Sequence, residues 1–295
     1  MKPVIKYPRF GDMDASFSEW AGSKIAILPV PYDRTSTWLK GADKGPLALI
    51  EASPVLEMYD IETDQEVYRN GIYVSPPLIT DAAPEEMAAA VEAKTAGLID
   101  AGKFVVTLGG EHSISIGAVS AHAARFKNVS VLQLDAHADL RDEYEGSRYN
   151  HACVMTRIKE ICPAVQVGIR SMCAEEKGRI DRENVFFAGD IASAGERGGW
   201  IEKAVGRLSD NVYVTIDVDV LDPSVMPSTG TPEPGGLTWY QVTGLLRAVA
   251  ESRTVVGFDL VELCPNPSNK APDYLAAKLV YKFLSYVFER GSRVK

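Results

Sequence analysis

The sequence is poor in cysteine and has no long apolar run. Its 295 residues include four cysteines, and none of them forms a Cys-x-x-Cys pair. This excludes a small disulfide-rich framework and favours reduced thiols, so we expect a cytoplasmic protein. No apolar run approaches the length of about 18 residues that a transmembrane helix needs. The first residues, MKPVIKYPRFGDMDASF, lack the apolar core of a secretory signal.

Basic residues are in the minority. The chain has 31 Lys and Arg against 40 Asp and Glu, which gives a formal net charge of −9. Because such a chain repels phosphates, we expect no nucleic-acid partner, and without an apolar span we expect no membrane partner. An acidic protein can instead concentrate a small cationic molecule.

The sequence does contain a repeated alternation of short apolar runs and helical stretches. The β-branched runs predict strands, and the capped stretches between them predict helices. The predicted strands are 24–33, 104–110, 129–135, 164–170, 212–222 and 254–263, and the clearest helices are 84–102, 115–126 and 237–252. This alternation favours a parallel sheet covered on both faces. With no linker or composition break, we expect residues 1–295 to form one α/β domain.

Four of the predicted strands end in acids or imidazole. In chain order the side chains are Glu111 and His112, then Asp135, His137 and Asp139, then Asp217 and Asp219, and last Glu262. Ligands of such sheets bind beyond the carboxyl ends of the strands. Side chains two apart on an extended chain share a face, so we expect Asp135 and His137 to reach one point. We expect the same of Asp217 and Asp219.

The density of these residues predicts a metal site. A single Asp-x-His step is common by chance, but burying four aspartates without counter-charge would cost on the order of several kcal/mol. All four histidines lie in the 40 residues from His112 to His151, and three of them stand at the motifs, while His122, in a predicted helix, is given no role. Carboxylates and imidazoles without thiolate favour Mn²⁺ over structural zinc. Six ligands exceed what one catalytic ion needs, so we expect two ions, ~3.5 Å apart, in a hydrolase.

Four segments resemble motifs of the ureohydrolase (arginase/agmatinase) family, most closely its agmatinase branch. They are GGEHS (109–113), DAHADLRDEYEG (135–146), TIDVDVLDPS (215–224) and STGTPEPGGL (228–237), in the family's order. The resemblance covers most of the chain, from Pro31 to the last helix. It implies a three-layer α/β/α fold with a central, mainly parallel eight-stranded sheet. It also implies a binuclear Mn²⁺ centre that hydrolyses a guanidinium group to urea and an amine.

The resemblance implies a ligand set for each ion. By motif position, one manganese ion would be held by His112, Asp135, Asp139 and Asp217. The other would be held by His137, Asp135, Asp217 and Asp219. Asp135 and Asp217 would therefore bridge the two ions.

Two further residues match the family's catalytic positions. His151 matches its proton shuttle, and Glu262 matches the acid that binds the guanidinium. A carboxylate does pair with a guanidinium through two parallel hydrogen bonds, and a histidine that titrates near the operating pH can protonate a departing amine. As alternatives, His151 could cap the following helix, and Glu262 could pair with a surface lysine.

One difference from the arginases indicates the substrate. Where arginases hold the amino-acid head of their substrate with an asparagine, this chain has Arg141. The resemblance therefore implies agmatine, a step of polyamine biosynthesis that yields putrescine and urea, rather than arginine. N(1)-aminopropylagmatine, guanidinobutyrate and guanidinopropionate stay open, because relatives acting on them share the same metal motifs.

The sequence argues against two rival functions, and the family suggests an assembly state. A metallophosphoesterase would need two further elements, GDxxD and GNHE, of which AGDIAS (188–193) supplies only a Gly-Asp pair. A non-catalytic relative would have lost a ligand, and none is missing. From the family we expect a homo-oligomer, a trimer or hexamer, although the apolar stretch LVYKFLSYVF (279–288) could equally be a core helix.

Overall fold

An eight-stranded, all-parallel sheet forms the centre of the molecule. The structure is a computed structural model that describes residues 7–195 and 198–289. The strands are β1 (Ile25–Val30), β2 (Ile72–Val74), β3 (Phe104–Gly109), β4 (Val129–Leu134), β5 (Ala164–Ile169), β6 (Val185–Phe187), β7 (Asn211–Asp217) and β8 (Thr254–Val261). They lie in the order β2-β1-β3-β8-β7-β4-β5-β6, and each neighbouring pair is parallel. The predicted parallel sheet is confirmed.

Helices cover both faces of this sheet. They are α1 (Gly45–Ala52), α2 (Pro84–Asp100), α3 (Ile114–Ala123), α4 (Val154–Ile161), α5 (Ala188–Ala194), α6 (Trp200–Gly206), α7 (Trp239–Ser252) and α8 (Ala271–Val287). One core packs α1 and α5 to α8 against the sheet, and a second core packs α2 to α4 against the other face. Side chains of β1 alternate between them, because Ile25 and Ile27 belong to the first core and Ala26 and Leu28 to the second. The three-layer α/β/α fold is therefore confirmed.

The polar motifs begin where the strands stop, and this differs from the sequence prediction. The run 212–222 is strand only as far as Asp217, and Val218–Val220 form a 3₁₀ turn. The Asp217 side chain caps that turn by accepting a hydrogen bond from the Asp219 N–H at 2.9 Å. Strand β4 likewise ends at Leu134, before the first aspartate of its motif. The shared strand face expected for these pairs is not formed, because short Asp side chains bond nearby backbone and favour turns. Asp135 Oδ1 and His137 Nδ1 nevertheless lie 3.7 Å apart, so this pair does reach one point.

The two edge strands were not predicted. Strands β2 and β6 have three residues each. A run that short shows no periodicity that distinguishes it from a loop.

Helix α8 packs its apolar side chains into the core of its own chain. The buried residues are Leu279, Val280, Tyr281, Phe283, Leu284 and Tyr286, each at most 3% exposed. The apolar stretch 279–288 is therefore accounted for as a core helix. Among the described residues, none of the helices is long and apolar enough to cross a membrane.

The same helix carries a buried cation. The Nζ of Lys282 donates to both carboxylate oxygens of Asp60, at 3.1 and 2.9 Å, and lies 3.0 Å from Glu62 Oε1. Burial opposes ionisation of Asp60, but the hydrogen bonds from Lys282 and Thr63 hold its pKa below the ordinary value. This pair ties the segment around residue 60 to the last helix.

Breaking this pair should destabilise the protein. Asp60→Asn is expected to lower the free energy of unfolding by about 2 kcal/mol at pH 7, because the buried Lys282 would keep only the partly exposed Glu62 as a counter-charge. Urea denaturation measures the change. Because the pKa of Asp60 is lower in the folded state, its contribution is present above the unfolded pKa of about 3.9 and is lost as the pH falls through the folded value.

The matched control is Glu251→Gln on α7. It breaks an exposed pair with Arg247, joined at 2.8 Å, and should cost about 0.5 kcal/mol or less. Equal losses in the two variants would contradict the assignment of Asp60 and Lys282 as a buried ion pair.

Candidate metal centre

The predicted site residues lie together at the carboxyl edge of the four inner strands. Strands β3, β8, β7 and β4 are neighbours in the middle of the sheet. His112 follows β3, Glu262 follows β8, Asp217 ends β7, and Asp135 follows β4. Because the carboxyl ends of adjacent parallel strands meet at one edge, motifs far apart in the sequence converge there.

A first group of ligands surrounds His112. Its Nδ1 lies 3.1 Å from Asp135 Oδ2, 3.1 Å from Asp139 Oδ2 and 3.5 Å from Asp217 Oδ2. His112, Asp135 and Asp139 are all buried, and their ligand atoms lie within 4.8 Å of one another. The structure thus brings together the four residues predicted to share one ion.

A second group surrounds His137. Its Nδ1 lies 2.9 Å from Asp219 Oδ2 and 3.7 Å from Asp135 Oδ1. The three ligand atoms again lie within 4.8 Å of one another. Asp135 therefore turns one oxygen to each histidine, which is the geometry of a bridging carboxylate. Asp217, the other predicted bridge, approaches His112 and does not belong to this second group.

Backbone N–H groups orient the carboxylates. Asp219 Oδ1 accepts from the N–H of Ala136 at 2.9 Å, and Asp217 Oδ1 accepts from the N–H of Asp219 at 2.9 Å. Asp135 Oδ1 accepts from the N–H of His137 at 2.6 Å. In Asp217 and Asp219 the oxygen that is not bound in this way, Oδ2, faces a histidine. The turns after β4 and β7 therefore fix the direction of the ligand atoms.

The cluster holds protons that a cation would displace. Burial and the neighbouring Asp219 raise the pKa of Asp217 well above its usual value, and burial with Asp135 raises the pKa of Asp139 to about 7. Burial acts in the opposite direction on His137, but Asp219 and Asp135 raise its pKa to about 12. Metal ligands must be deprotonated, so these groups can exchange their protons for a divalent cation.

A hydrogen-bond chain aims the His112 ring at the cluster. Its Nε2 lies 2.9 Å from Thr215 Oγ1, which donates to Asp259 Oδ1 at 2.6 Å. The Tyr213 hydroxyl also donates to Asp259, at 2.8 Å. Because the single proton of Thr215 is directed to Asp259, its oxygen accepts the Nε2–H of His112. The Nδ1 lone pair then faces three carboxylates, and among the described residues this buried atom has no hydrogen-bond partner. A lone pair aimed among carboxylates fits a metal ion.

Sequence analysis missed Thr215 and Asp259. Both are fully buried inside the apolar strands β7 and β8. A buried polar residue in a strand needs a hydrogen-bond partner. The signal that could have identified them is a polar residue inside an apolar strand, Thr215 in the run TID and Asp259 in the run GFDLV.

A cavity of ≈ 330 Å³ opens over the cluster. Its lining includes the site residues His112, His137, Asp139, Asp217, Asp219, His151 and Glu262. Asp135 lies fully buried behind them. Glu262 Oε1 accepts from the His112 N–H at 2.7 Å, and the residue has a φ of +64°. Such a φ is uncommon for a residue other than glycine, and here it accompanies a carboxylate held at the cavity wall.

The alternatives for the two catalytic candidates are not found. Asn150 is the N-cap of the turn that precedes α4, since its side chain accepts from the Ala152 N–H at 3.0 Å. In the described part of the chain, Glu262 forms no ion pair with a lysine. Burial lowers the pKa of His151 to about 4, below the range expected from the sequence.

The parallel sheet with carboxylates and histidines at its carboxyl edge defines a class of hydrolase. The sequence profile of the arginase family matches residues 23–285. The chain therefore belongs to the arginase family, as the motifs predicted, and is a hydrolase of that family.

Within the family, the chain is similar to the following proteins. The chain is 38% identical over 282 residues to the N(1)-aminopropylagmatine ureohydrolase of Synechocystis sp., covering 92% of this chain and 91% of the relative. It is 32% identical over 286 residues to the agmatinase of Pyrococcus horikoshii, covering 92% and 94%. The crystal structure of the agmatine ureohydrolase of Thermoplasma volcanium matches the fold with a TM-score of 0.83 at 32% identity, covering 92% of each chain.

The buried acid behind His112 should control cation affinity. Asp259→Asn is expected to raise the dissociation constant for Mn²⁺, used as the probe, by about 10- to 100-fold. The reason is that an amide can donate to Thr215 and reverse the direction of the hydrogen bond to His112. Equilibrium dialysis measures the constant.

The control is Asp273→Asn on α8. Asp273 is also buried, but it pairs with Lys270 at 2.9 Å and not with the cluster. An unchanged affinity in Asp259→Asn, or the same loss in Asp273→Asn, would contradict the role given to Asp259.

Proposed function

We propose that this chain is a binuclear manganese ureohydrolase that converts agmatine to putrescine and urea. The observation that supports this most directly is that one cavity opens over both groups of ligands and is also lined by His151 and Glu262. The family membership supports the same reaction class.

His112, Asp135, Asp139 and Asp217 would hold one ion, and His137, Asp135, Asp217 and Asp219 would hold the other. The oxygen-rich donor set without thiolate fits Mn²⁺. When bound, the pair would supply activation of a water for attack at neutral pH. Asp135 is the better supported bridge, because its two oxygens face different histidines.

Glu262 would orient the guanidinium. One of its oxygens, Oε1, is bound by the His112 N–H, so Oε2 is the oxygen that can accept from a substrate in the cavity. A guanidinium donates strong, charge-assisted hydrogen bonds to a carboxylate. Holding the planar group in this way fixes its carbon over the ligand cluster and removes the entropy cost of orienting it.

His151 would move a proton. Its ring lines the cavity, and its lowered pKa of about 4 keeps it neutral near pH 7. A neutral imidazole accepts a proton from the attacking water first and then passes it to the departing amine.

Arg141 supports a substrate without an amino-acid head. Its guanidinium lies 4.3 Å from the centroid of the Tyr144 ring, and both residues line the cavity. Arginine offers only hydrogen-bond donors, so Arg141 cannot accept from the α-ammonium of arginine, although it could bind the α-carboxylate; the substrate panel below separates the two. N(1)-aminopropylagmatine is the second candidate substrate. The chain is 38% identical to the N(1)-aminopropylagmatine ureohydrolase of Synechocystis sp. and 32% identical to the agmatinase of Pyrococcus horikoshii.

Further predictions from the sequence complete this proposal. We propose one catalytic domain over residues 1–295, because the described sheet and both helical layers are continuous. The cytoplasmic location and the trimeric or hexameric assembly stay predictions.

Urea release by the Mn²⁺-loaded protein tests the reaction. The substrates are agmatine, N(1)-aminopropylagmatine, arginine and guanidinobutyrate, with a metal-stripped control. Urea from agmatine in preference to the others is the expected result. Preference for N(1)-aminopropylagmatine or guanidinobutyrate would keep the reaction and overturn the substrate. No urea from any of them, with two ions bound, would contradict the proposed function.

Glu262→Gln should lower kcat/KM by about 10- to 100-fold, because the loss of charge weakens a hydrogen bond worth about 1.5–3 kcal/mol. Steady-state urea release measures the change. The control is Glu86→Gln, an exposed residue in the first turn of α2, which should leave kcat/KM unchanged. Full activity in Glu262→Gln would remove Glu262 from the catalytic site.

A further inference from the structure

Thr35 joins His151 to a buried acid. Thr35 follows β1 and is 8% exposed. Its Oγ1 donates to Glu111 Oε1 at 2.7 Å, lies 3.1 Å from His151 Nδ1 and accepts from the His151 N–H at 3.1 Å. Neither Thr35 nor Glu111 has a role in the proposed function so far.

Glu111 is arranged as an acceptor. The residue is fully buried. Its Oε2 accepts from the N–H groups of Thr35 and Ser36, at 2.5 and 3.1 Å. Its Oε1 is bound by the hydroxyls of Thr35 and Ser113, at 2.7 and 2.6 Å. Four donors around one carboxyl group are the surroundings of a carboxylate, which accepts and does not donate.

The three contacts of the Thr35 hydroxyl fix its proton. A hydroxyl has one proton and two lone pairs. The His151 backbone N–H can only donate, so it uses one lone pair. The carboxylate of Glu111 can only accept, so it receives the proton. The remaining lone pair faces His151 Nδ1, and that nitrogen must therefore carry its own proton.

We propose that Thr35 and Glu111 are positioning residues that hold His151 as the Nδ1–H tautomer, with the unprotonated Nε2 open to the cavity. This rests on the proposed function, in which His151 moves a proton. The tautomer determines the order of the two proton transfers. Nε2 takes a proton from the attacking water as the oxygen–carbon bond forms, and returns it to the amine nitrogen as the carbon–nitrogen bond breaks. With the other tautomer, Nε2–H could not accept the first proton.

His112 is held by the same kind of hydrogen-bond chain, but through its other ring nitrogen. There Thr215 and Asp259 take the Nε2–H and leave Nδ1 free for the ligand cluster. In both cases a threonine proton given to a buried acid decides which ring nitrogen is unprotonated.

Thr35→Val tests the proposal, since it keeps the shape and the backbone N–H but removes the hydroxyl. It should lower kcat by about 10- to 100-fold with KM nearly unchanged, because the ring of His151 loses its orientation and tautomer. Thr35→Ser keeps the hydroxyl and should restore kcat to within about threefold of the wild type. The control is Thr95→Val on α2, which removes a buried hydroxyl that has no hydrogen-bond partner within residues 7–195 and 198–289 and should leave kcat unchanged.

The tautomer is measured directly by nitrogen NMR. The sequence has four histidines, so the ring nitrogens of ¹⁵N-histidine-labelled protein can be assigned with His151→Asn. Mg²⁺ replaces the paramagnetic Mn²⁺. We expect the His151 proton on Nδ1 in the wild type and on Nε2, at least in part, in Thr35→Val. A wild-type proton on Nε2 would overturn the proposal.

A double variant separates this role from a structural one. If Thr35 acts through His151, Thr35→Val combined with His151→Asn should be no slower than His151→Asn alone, within about twofold. Losses that multiply would overturn the proposal, as would an unchanged kcat in Thr35→Val. No urea from the wild type would instead contradict the proposed function, and the nitrogen spectrum would still decide whether Thr35 sets the tautomer.

Discussion

The burial of four aspartates against two histidines at one edge of an apolar sheet is the constraint on which the other features of the site depend. Such a cluster is costly without a cation among its members. The carboxylates are already oriented for a cation. Backbone N–H groups bind one oxygen of Asp217 and one of Asp219, and the other oxygen of each faces a histidine. The raised pKa of Asp217 and of His137 reflects the same crowding of charge.

Direction is imposed on the imidazoles from outside the cluster. A histidine ring presents two similar nitrogens, and hydrogen bonds on one side decide which of them is available on the other. For His112 the deciding group is Thr215 with Asp259 behind it. Each such chain crosses between elements that are far apart in sequence, so the protein uses its fold to select a tautomer.

The sequence predicted which acids and histidines converge better than it predicted the hydrogen bonds that hold them. The acids were visible because apolar strands end directly in Asp135 and Asp217, and the parallel order of the strands then brings those ends together. The 3₁₀ turn after Asp217 was not visible, because an Asp side chain that caps its own backbone leaves no periodic signal. The contact between Thr35 and Glu111 joins residues 76 positions apart, and no local pattern records such a pairing. Asp259 was read as part of an apolar strand, although a buried acid there needs partners.

The position of the site in the sheet decides whether local or global unfolding disrupts it. Its proposed ligands end or follow β3, β4 and β7, and Glu262 follows β8. Each of these strands has a neighbour on both sides, whereas the edge strands β2 and β6 have three residues each. Local fluctuations begin at such short edges and reach the centre only when the whole sheet separates. Amide protons of the inner strands should therefore exchange with solvent only through global unfolding. A bound cation would then add its binding free energy to the stability of the entire sheet, rather than to that of one loop.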